Sequence, residues 1–383
     1  MNMATGTTNT TNGCALQRGR LQALMESQNL QAAVLSSYQA VSYLAGTNIL
    51  TQLMLPDRPA FYLSFPGGKD SLLVCDIETG MVESQTDITD VHEYVEFAQD
   101  PWVELAGLLK SHGVESDRIG FEARRVPAEG YERVRNALPE LELVAIDDAV
   151  EELQSVKSAD EIERLRYAAQ ATLDAVLSSV ESATSNMSEL ALSADMNAKI
   201  ILSAGSPRFT FLASGERALG AHIDPIDRAL EPGHIWRVDL GARFFERVNS
   251  DLARTGVVGD PTDEQEDLLQ CVLAAQQAAF DLVEAGRPVS DLFYAVKGEF
   301  ERRHRPFQMP HVGHGLGTGL HEAPILHPGN SVPLEAGMVL AIEPMLKATD
   351  RGECYHSEDL VVVTEGGHDL LTQPQRSLLR IRV

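Results

Sequence analysis

IWRVDLGARF (residues 235–244) and SDLART (residues 250–255) decide the fold of the second half of this chain. Successive side chains of a strand point to opposite faces. Arg237, Asp239 and Gly241 therefore share one face, while Trp236, Val238 and Leu240 point the other way, into a core. In the second segment Asp251 shares its face with Ala253 and Thr255. A hairpin joining the two strands sets Asp239 and Asp251 opposite each other across the ladder. Further on, VLAIEPM places Val339, Ala341 and Glu343 on one face, and SEDLVVV does the same for Glu358, Leu360 and Val362.

A carboxylate flanked by apolar residues in a strand costs several kcal/mol to bury without a partner. Any one of these acids reads equally as a surface residue on a half-exposed strand. Four together demand a cationic partner, and no lysine or arginine is placed to serve all four. His314 joins them from the glycine-rich run GHGLGTGLHE, residues 313–322. Asp239, Asp251, His314, Glu343 and Glu358 thus form a candidate ligand set for two divalent cations. Its hard, oxygen-rich character suits Mn²⁺ or a similar ion. Such a pair activates a bridging water by lowering its pKa toward neutrality.

The glycine run superficially satisfies a dinucleotide-binding pattern, but that fingerprint requires a βαβ unit with an acidic residue about twenty positions on. Here the segment follows Pro306 and Pro310 and leads into His321 and Pro324, so close approach of backbone to a metal or substrate is the better reading. His222, His311 and His321, in the company of the carboxylates, read as proton carriers or substrate hydrogen bonders. His234, His304, His327 and His368 lack that company and read as structural.

Composition narrows the function classes. With 383 residues the chain is long enough for two domains with full cores. Its 56 acidic against 31 basic residues give a net charge of −25, which argues against nucleic acid and anionic membranes as partners. Cys14, Cys75, Cys271 and Cys354 show no CxxC spacing and read as reduced thiols of a cytoplasmic protein. No run of 18 apolar residues is present, and the polar start MNMATGTTNTTNG resembles a disordered tail rather than a signal peptide.

The expected layout is a tail over residues 1–14, a small α/β domain over 15–150 and an α+β domain with antiparallel pairing over 155–383. In the first domain Leu16, Leu21, Leu24 and Met25 form a helical stripe. Strands are expected over 32–37, and over 60–65 and 71–75 around the turn Pro66-Gly67-Gly68. A further strand is expected over 118–122 and a helix over 131–138, with no clustered catalytic side chains in this domain. In the second, Ser158 with Glu161 and Thr262 with Gln265 are capping boxes. The helix opened by Thr262 ends at Gly286, and Ser290 begins the next.

The motifs DLG…SDLARTG, GHGLGTGLHEAP, GMVLAIEPM and EDLVVVTEGG, with the linker VKSADEIERLR, resemble those of the creatinase/prolidase/aminopeptidase P superfamily, the pita-bread metallopeptidases of M24 type. The resemblance covers nearly the whole chain and implies a pita-bread catalytic domain preceded by a smaller creatinase-type domain. Carried over, Asp239 chelates the first metal, Asp251 and Glu358 bridge both, and His314 and Glu343 bind the second, with Glu343 also the candidate general base. His321 and His222 match the histidines beside the scissile carbonyl and in the substrate pocket, and His311 lies nearby. The resemblance further implies Mn²⁺, with Co²⁺ or Zn²⁺ as alternatives, a homodimer, and short peptides with proline after the scissile bond. Three features depart from the pattern. The interval from Asp239 to Asp251 is one residue longer, His311 precedes His314 by three positions instead of four, and His356 replaces an arginine two residues before Glu358. That last change leaves open a creatinase-like hydrolase or a lyase acting on a small C–N substrate. A silent binding protein on the same scaffold is expected to have lost ligands, and none is lost.

Overall fold

A computed structural model describes residues 11–55 and 57–383. It divides into two compact units, the first ending at Gln154 and the second beginning at Ser155. The expected tail lies, for residues 1–10, outside the described residues. From Thr11 the chain is already helical, Thr11–Ser27. Leu21 and Met25 are buried there, whereas Leu16 is 48% exposed and drops out of the expected stripe.

Six strands form the sheet of the N-terminal unit: β1 (Ala32–Leu35), β2 (Phe61–Phe65), β3 (Lys69–Cys75), β4 (Asp90–Tyr94), β5 (Arg118–Phe121) and β6 (Glu142–Ala145). Their order is β4-β3-β2-β1-β5-β6. The β2–β3 hairpin turns where Gly67 and Gly68 take φ of 80° and 73°, conformations glycine adopts without a Cβ clash. Alternation along β1 and β2 sends Ala33, Leu35 and Tyr62 into one core and Ala32, Val34, Phe61 and Leu63 into another, so helices cover both faces.

In the C-terminal unit a four-stranded sheet is built from β7 (Ser206–Ser214), β8 (Ile235–Phe244) and β9 (Val248–Val258), with the last strand of the chain added beside β9. The five-stranded sheet contains β10 (Gly313–Gly315), β11 (Glu322–Ile325) and β12 (Val339–Ile342). A two-stranded ribbon, β13 (Met345–Ala348) and β14 (Glu353–His356), precedes β15 (Asp359–Thr364) and β16 (Gly367–Leu370), which complete that sheet. The last strand, β17 (Leu379–Ile381), runs parallel to β9, the one departure from the expected antiparallel pairing among the described strands. Its carbonyls and amides satisfy an edge that β9 would otherwise expose.

Trp236, Val238, Leu240, Val339, Ala341, Leu360 and Val362 fill one core together with helices Ala159–Ser182 and Glu189–Leu202. Leu340, Ile342, Val361 and Val363 fill the other, with helices Asp263–Phe280 and Val289–Arg302. Both expected capping boxes form. The helix opened by Thr262 stops at Phe280, six residues before Gly286, and the next starts at Val289 after Pro288, one residue ahead of Ser290. No described helix is long and apolar enough to cross a membrane.

Candidate metal centre

Strand register brings the two aspartates to one face but not into direct opposition. The β8–β9 hairpin pairs Phe244 with Val248, so Asp239 faces Ala253 and Asp251 faces Gly241. The expected cross-strand pair is therefore a diagonal one. Its cause is the three-residue turn, in which Phe245 and Glu246 take positive φ and fix the register. Gly241 matters here, because a Cβ at that position would meet the Phe209 ring at 2.5 Å and Ser250 O at 2.8 Å.

Glu358 reaches the same place through an isolated bridge to β9, its amide donating to Ala253 O at 3.1 Å. Arg254, on the opposite face of β9 from Asp251, locks that junction by donating to Glu358 O at 2.8 Å and pairing with Asp359 at 2.6 Å. Glu343 follows the end of β12, and its amide donates to Val312 O at 3.0 Å. Both glutamates thus sit just outside strands, where the ladder ends and the backbone can turn. Gln276 ties these two ends together, donating to Ile342 O at 2.8 Å and to Ser357 O at 3.3 Å. His314 lies mid-strand in β10, opposite Ala341. At the preceding position only glycine fits, since a Cβ on Gly313 would stand 2.0 Å from Ala341 O.

The donor atoms converge. His314 Nε2 lies 3.6 Å from Glu343 Oε1, 3.9 Å from Asp251 Oδ2 and 4.0 Å from Glu358 Oε1. Ligand atoms of Asp239, Asp251 and Glu358 fall within 4.8 Å of one another, as do those of His314, Glu343 and Glu358. Glu358 is common to both trios. His311 Nδ1 approaches Glu343 Oε1 at 3.6 Å, His356 Nε2 approaches its Oε2 at 3.8 Å, and the His321 ring stacks on His314 with centroids 3.8 Å apart.

Electrostatics test whether these groups fit a cation. Burial pushes the pKa values of Asp251 and Glu358 well above the carboxylate range, and neighbouring carboxylates push them further. Burial also raises Asp239. Burial drives Glu343 upward too, but the imidazoles of His356, His314 and His311 facing it pull harder, to about 2. Burial lowers His314 to about 4, so it is neutral near pH 7. Its Nδ1 donates to Gly315 O at 3.0 Å, which leaves the Nε2 lone pair directed at the carboxylates. A lone pair and three carboxylates packed together are favourable only where protons or a cation lie between them. Asp251 Oδ1, Glu343 Oε1 and Glu358 Oε1 are buried without hydrogen-bond partners, which points the same way. The residues fit divalent metal.

The family is decided by comparison with known proteins. The model of metallopeptidase family M24 matches residues 163–365, and that of the creatinase/prolidase N-terminal domain matches residues 17–156. The chain belongs to metallopeptidase family M24. Similar proteins include the Xaa-Pro dipeptidase of Pyrococcus furiosus, 27% identical over 94% of this chain and 98% of the relative. A peptidase of Bacillus subtilis, YqhT, is 29% identical over 72% and 77%. Among solved structures, dipeptidase PepE from Mycobacterium ulcerans superposes with a TM-score of 0.85 at 25% identity, covering 99% of this chain and all of that one. The X-Pro aminopeptidase from Thermotoga maritima gives 0.84 at 24%, covering 95% and 99%, a likeness of fold. The chain is a metallopeptidase with the expected arrangement of a creatinase-type domain before the M24 domain.

In this M24 chain the carboxylates and histidines open into a cavity of about 520 Å³. Among the sequence candidates, His222, His311, His321 and His356 all line it. The Phe211 ring, 4.9 Å from that of His222, forms part of the wall. Lys347, the lysine among its lining residues, and Met345 project into it from β13 and were not singled out in the sequence. Alternation along β13 would have given them a common face had the ribbon been recognised.

A second unforeseen feature supports the glycine loop. Lys157 and Glu322 form a buried ion pair at 2.7 Å. The other oxygen of Glu322 accepts from Gly319 N at 2.6 Å, and Asn249 Nδ2 donates to Thr318 O at 2.6 Å. The turn that carries His321 is therefore fixed by side chains from the linker and from β9. A Cβ on Gly317 would collide with Glu322 Oε2 at 2.7 Å.

Proposed function

We propose that this chain is a dinuclear M24 peptidase that cleaves the bond before proline, as an Xaa-Pro dipeptidase or aminopeptidase. The observation that carries the reading is the neutral His314 with its Nε2 lone pair turned toward three acids, each with one buried oxygen that accepts no hydrogen bond. Asp239, Asp251 and Glu358 would hold one cation, and Glu358, Asp251, His314 and Glu343 the other. Bound there, a cation pair supplies Lewis-acid polarisation of the scissile carbonyl and an activated water nucleophile. Glu343 would serve as general base, its carboxylate kept ionised by the surrounding imidazoles. His321, stacked on His314, and His222, against Phe211, would donate to the oxyanion that develops on the substrate. His311 and His356 would contact substrate from the same wall.

Mn²⁺ is the proposed physiological ion, on the strength of four oxygen ligands to one nitrogen. A cytoplasmic homodimer is proposed with it, and the four buried cysteines, none of them in a disulfide, support a reducing compartment. The names of relatives support proline specificity. His356, where the resemblance expects arginine, favours a second reading, a hydrolase or lyase of a small non-peptide C–N substrate. A panel of Xaa-Pro dipeptides and tripeptides, assayed with Mn²⁺, Co²⁺ and Zn²⁺, separates the two. Release of the residue preceding proline is expected, and silence across the panel would favour the second reading.

A further inference from the structure

The N-terminal unit, where no clustered catalytic side chains were expected, contains a second convergence of metal-ligating side chains. Asp90 and His92 are alternate residues of the edge strand β4, so both side chains leave the same face. His112 caps the end of helix Pro101–Ser111, and its ring stacks on Phe65 with centroids 4.1 Å apart and planes 7° from parallel. That stacking fixes where its Nε2 points. His92 Nε2 lies 2.9 Å from Asp90 Oδ1, and His112 Nε2 lies 3.4 Å from Asp90 Oδ2. One donor atom from each of the three falls within 4.8 Å of the others. Ser71, paired with Asp90 in the sheet, donates to Asp90 Oδ2 and sits 3.5 Å from His112 Nε2.

These separations suit a small cation. Tetrahedral zinc, with bonds of about 2.0–2.2 Å, holds its donors about 3.3 Å apart. Two imidazoles and a carboxylate are zinc ligands, and the Irving–Williams order places zinc well above manganese at such a set. Next to the cluster opens a cavity of about 440 Å³, so a water can take the fourth position. Ser71 plays the supporting part, hydrogen-bonding and orienting the ligating carboxylate.

We propose that Asp90, His92 and His112 form a zinc site in the N-terminal unit, separate from the M24 centre. The bound ion ties the sheet-edge strand β4 to the end of helix Pro101–Ser111. There it would brace the sheet edge against a helix terminus and keep one position open to water.

The test compares full-length protein with the double variant His92→Ala/His112→Ala and, as an isosteric control, Asp90→Asn. Each is dialysed against buffered micromolar free zinc, and metal is counted by plasma mass spectrometry. The expected result is one zinc fewer per chain in both variants, with peptide turnover unchanged and a smaller rise in melting temperature on adding zinc. Should the double variant misfold, Asp90→Asn alone decides. Equal zinc content in all three proteins, meaning a solvated hydrogen-bond cluster only, would overturn the proposal. The readout is a difference between variants, so it stands whether or not the M24 centre holds two ions.

Discussion

Asp251→Asn should stabilise the metal-stripped protein and destabilise the metal-loaded one. Asp251 is 4% exposed, its Oδ1 lacks a hydrogen-bond partner, and Asp239 and Glu343 add to the cost of its charge. Burying its charge, or taking up a proton to avoid that, costs at least about 1–3 kcal/mol, a cost the neutral amide escapes. For a unit the size of residues 155–383, each kcal/mol moves the melting temperature by about 2–4 °C. Chelated Asp251→Asn should therefore melt about 2–12 °C above chelated wild type near pH 7. Saturating Mn²⁺ reverses the order. Wild type gains about 2.7 kcal/mol at a hundredfold excess over Kd, and the variant, short of one ligand charge, gains far less. Scanning calorimetry or dye-monitored melting with chelator, then with Mn²⁺, measures both. A chelated variant that melts below wild type, or equal Mn²⁺ shifts in the two proteins, would refute the reasoning.

Other consequences can be checked with the same preparations. Asp251→Asn should abolish peptide turnover, measured by release of the amino-terminal residue. The raised Asp251 and Glu358 bind more protons folded than unfolded, so stability of chelated protein should fall as pH rises above the ordinary carboxylate range. Excess Mn²⁺ should flatten that slope, as melting curves across pH would reveal. Lys157→Ala strands Glu322 in a buried position and should cost about 3–5 kcal/mol in denaturant unfolding, while Lys157→Ala/Glu322→Gln recovers part of it. His321→Ala should lower kcat by about 10²–10³ with metal content unchanged, as expected for an oxyanion donor.

Much of the catalytic unit was legible because its strands alternate cleanly. Trp236, Val238 and Leu240 fill the core while Asp239 faces the cavity, as the period of two requires. The capping boxes at Ser158 and Thr262 were readable because they are local, each complete within four residues. What failed was set by distant parts of the chain. The Asp239–Asp251 register depends on a turn whose conformation the sequence leaves open, and β17 pairs with β9 from the far end of the chain, Leu379 against Gly256. The Lys157–Glu322 pair joins residues 165 positions apart, beyond any spacing rule. Asp90, His92 and His112 escaped for the same reason, since a strand and a helix end bring them together only in three dimensions.

Anomalous diffraction at the manganese edge, from crystals of the Mn²⁺-loaded protein, tests the central claim most directly. Two peaks are predicted, one among Asp239, Asp251 and Glu358 and one among His314, Glu343 and Glu358. Absence of peaks there, with these side chains in the same positions, would contradict the account.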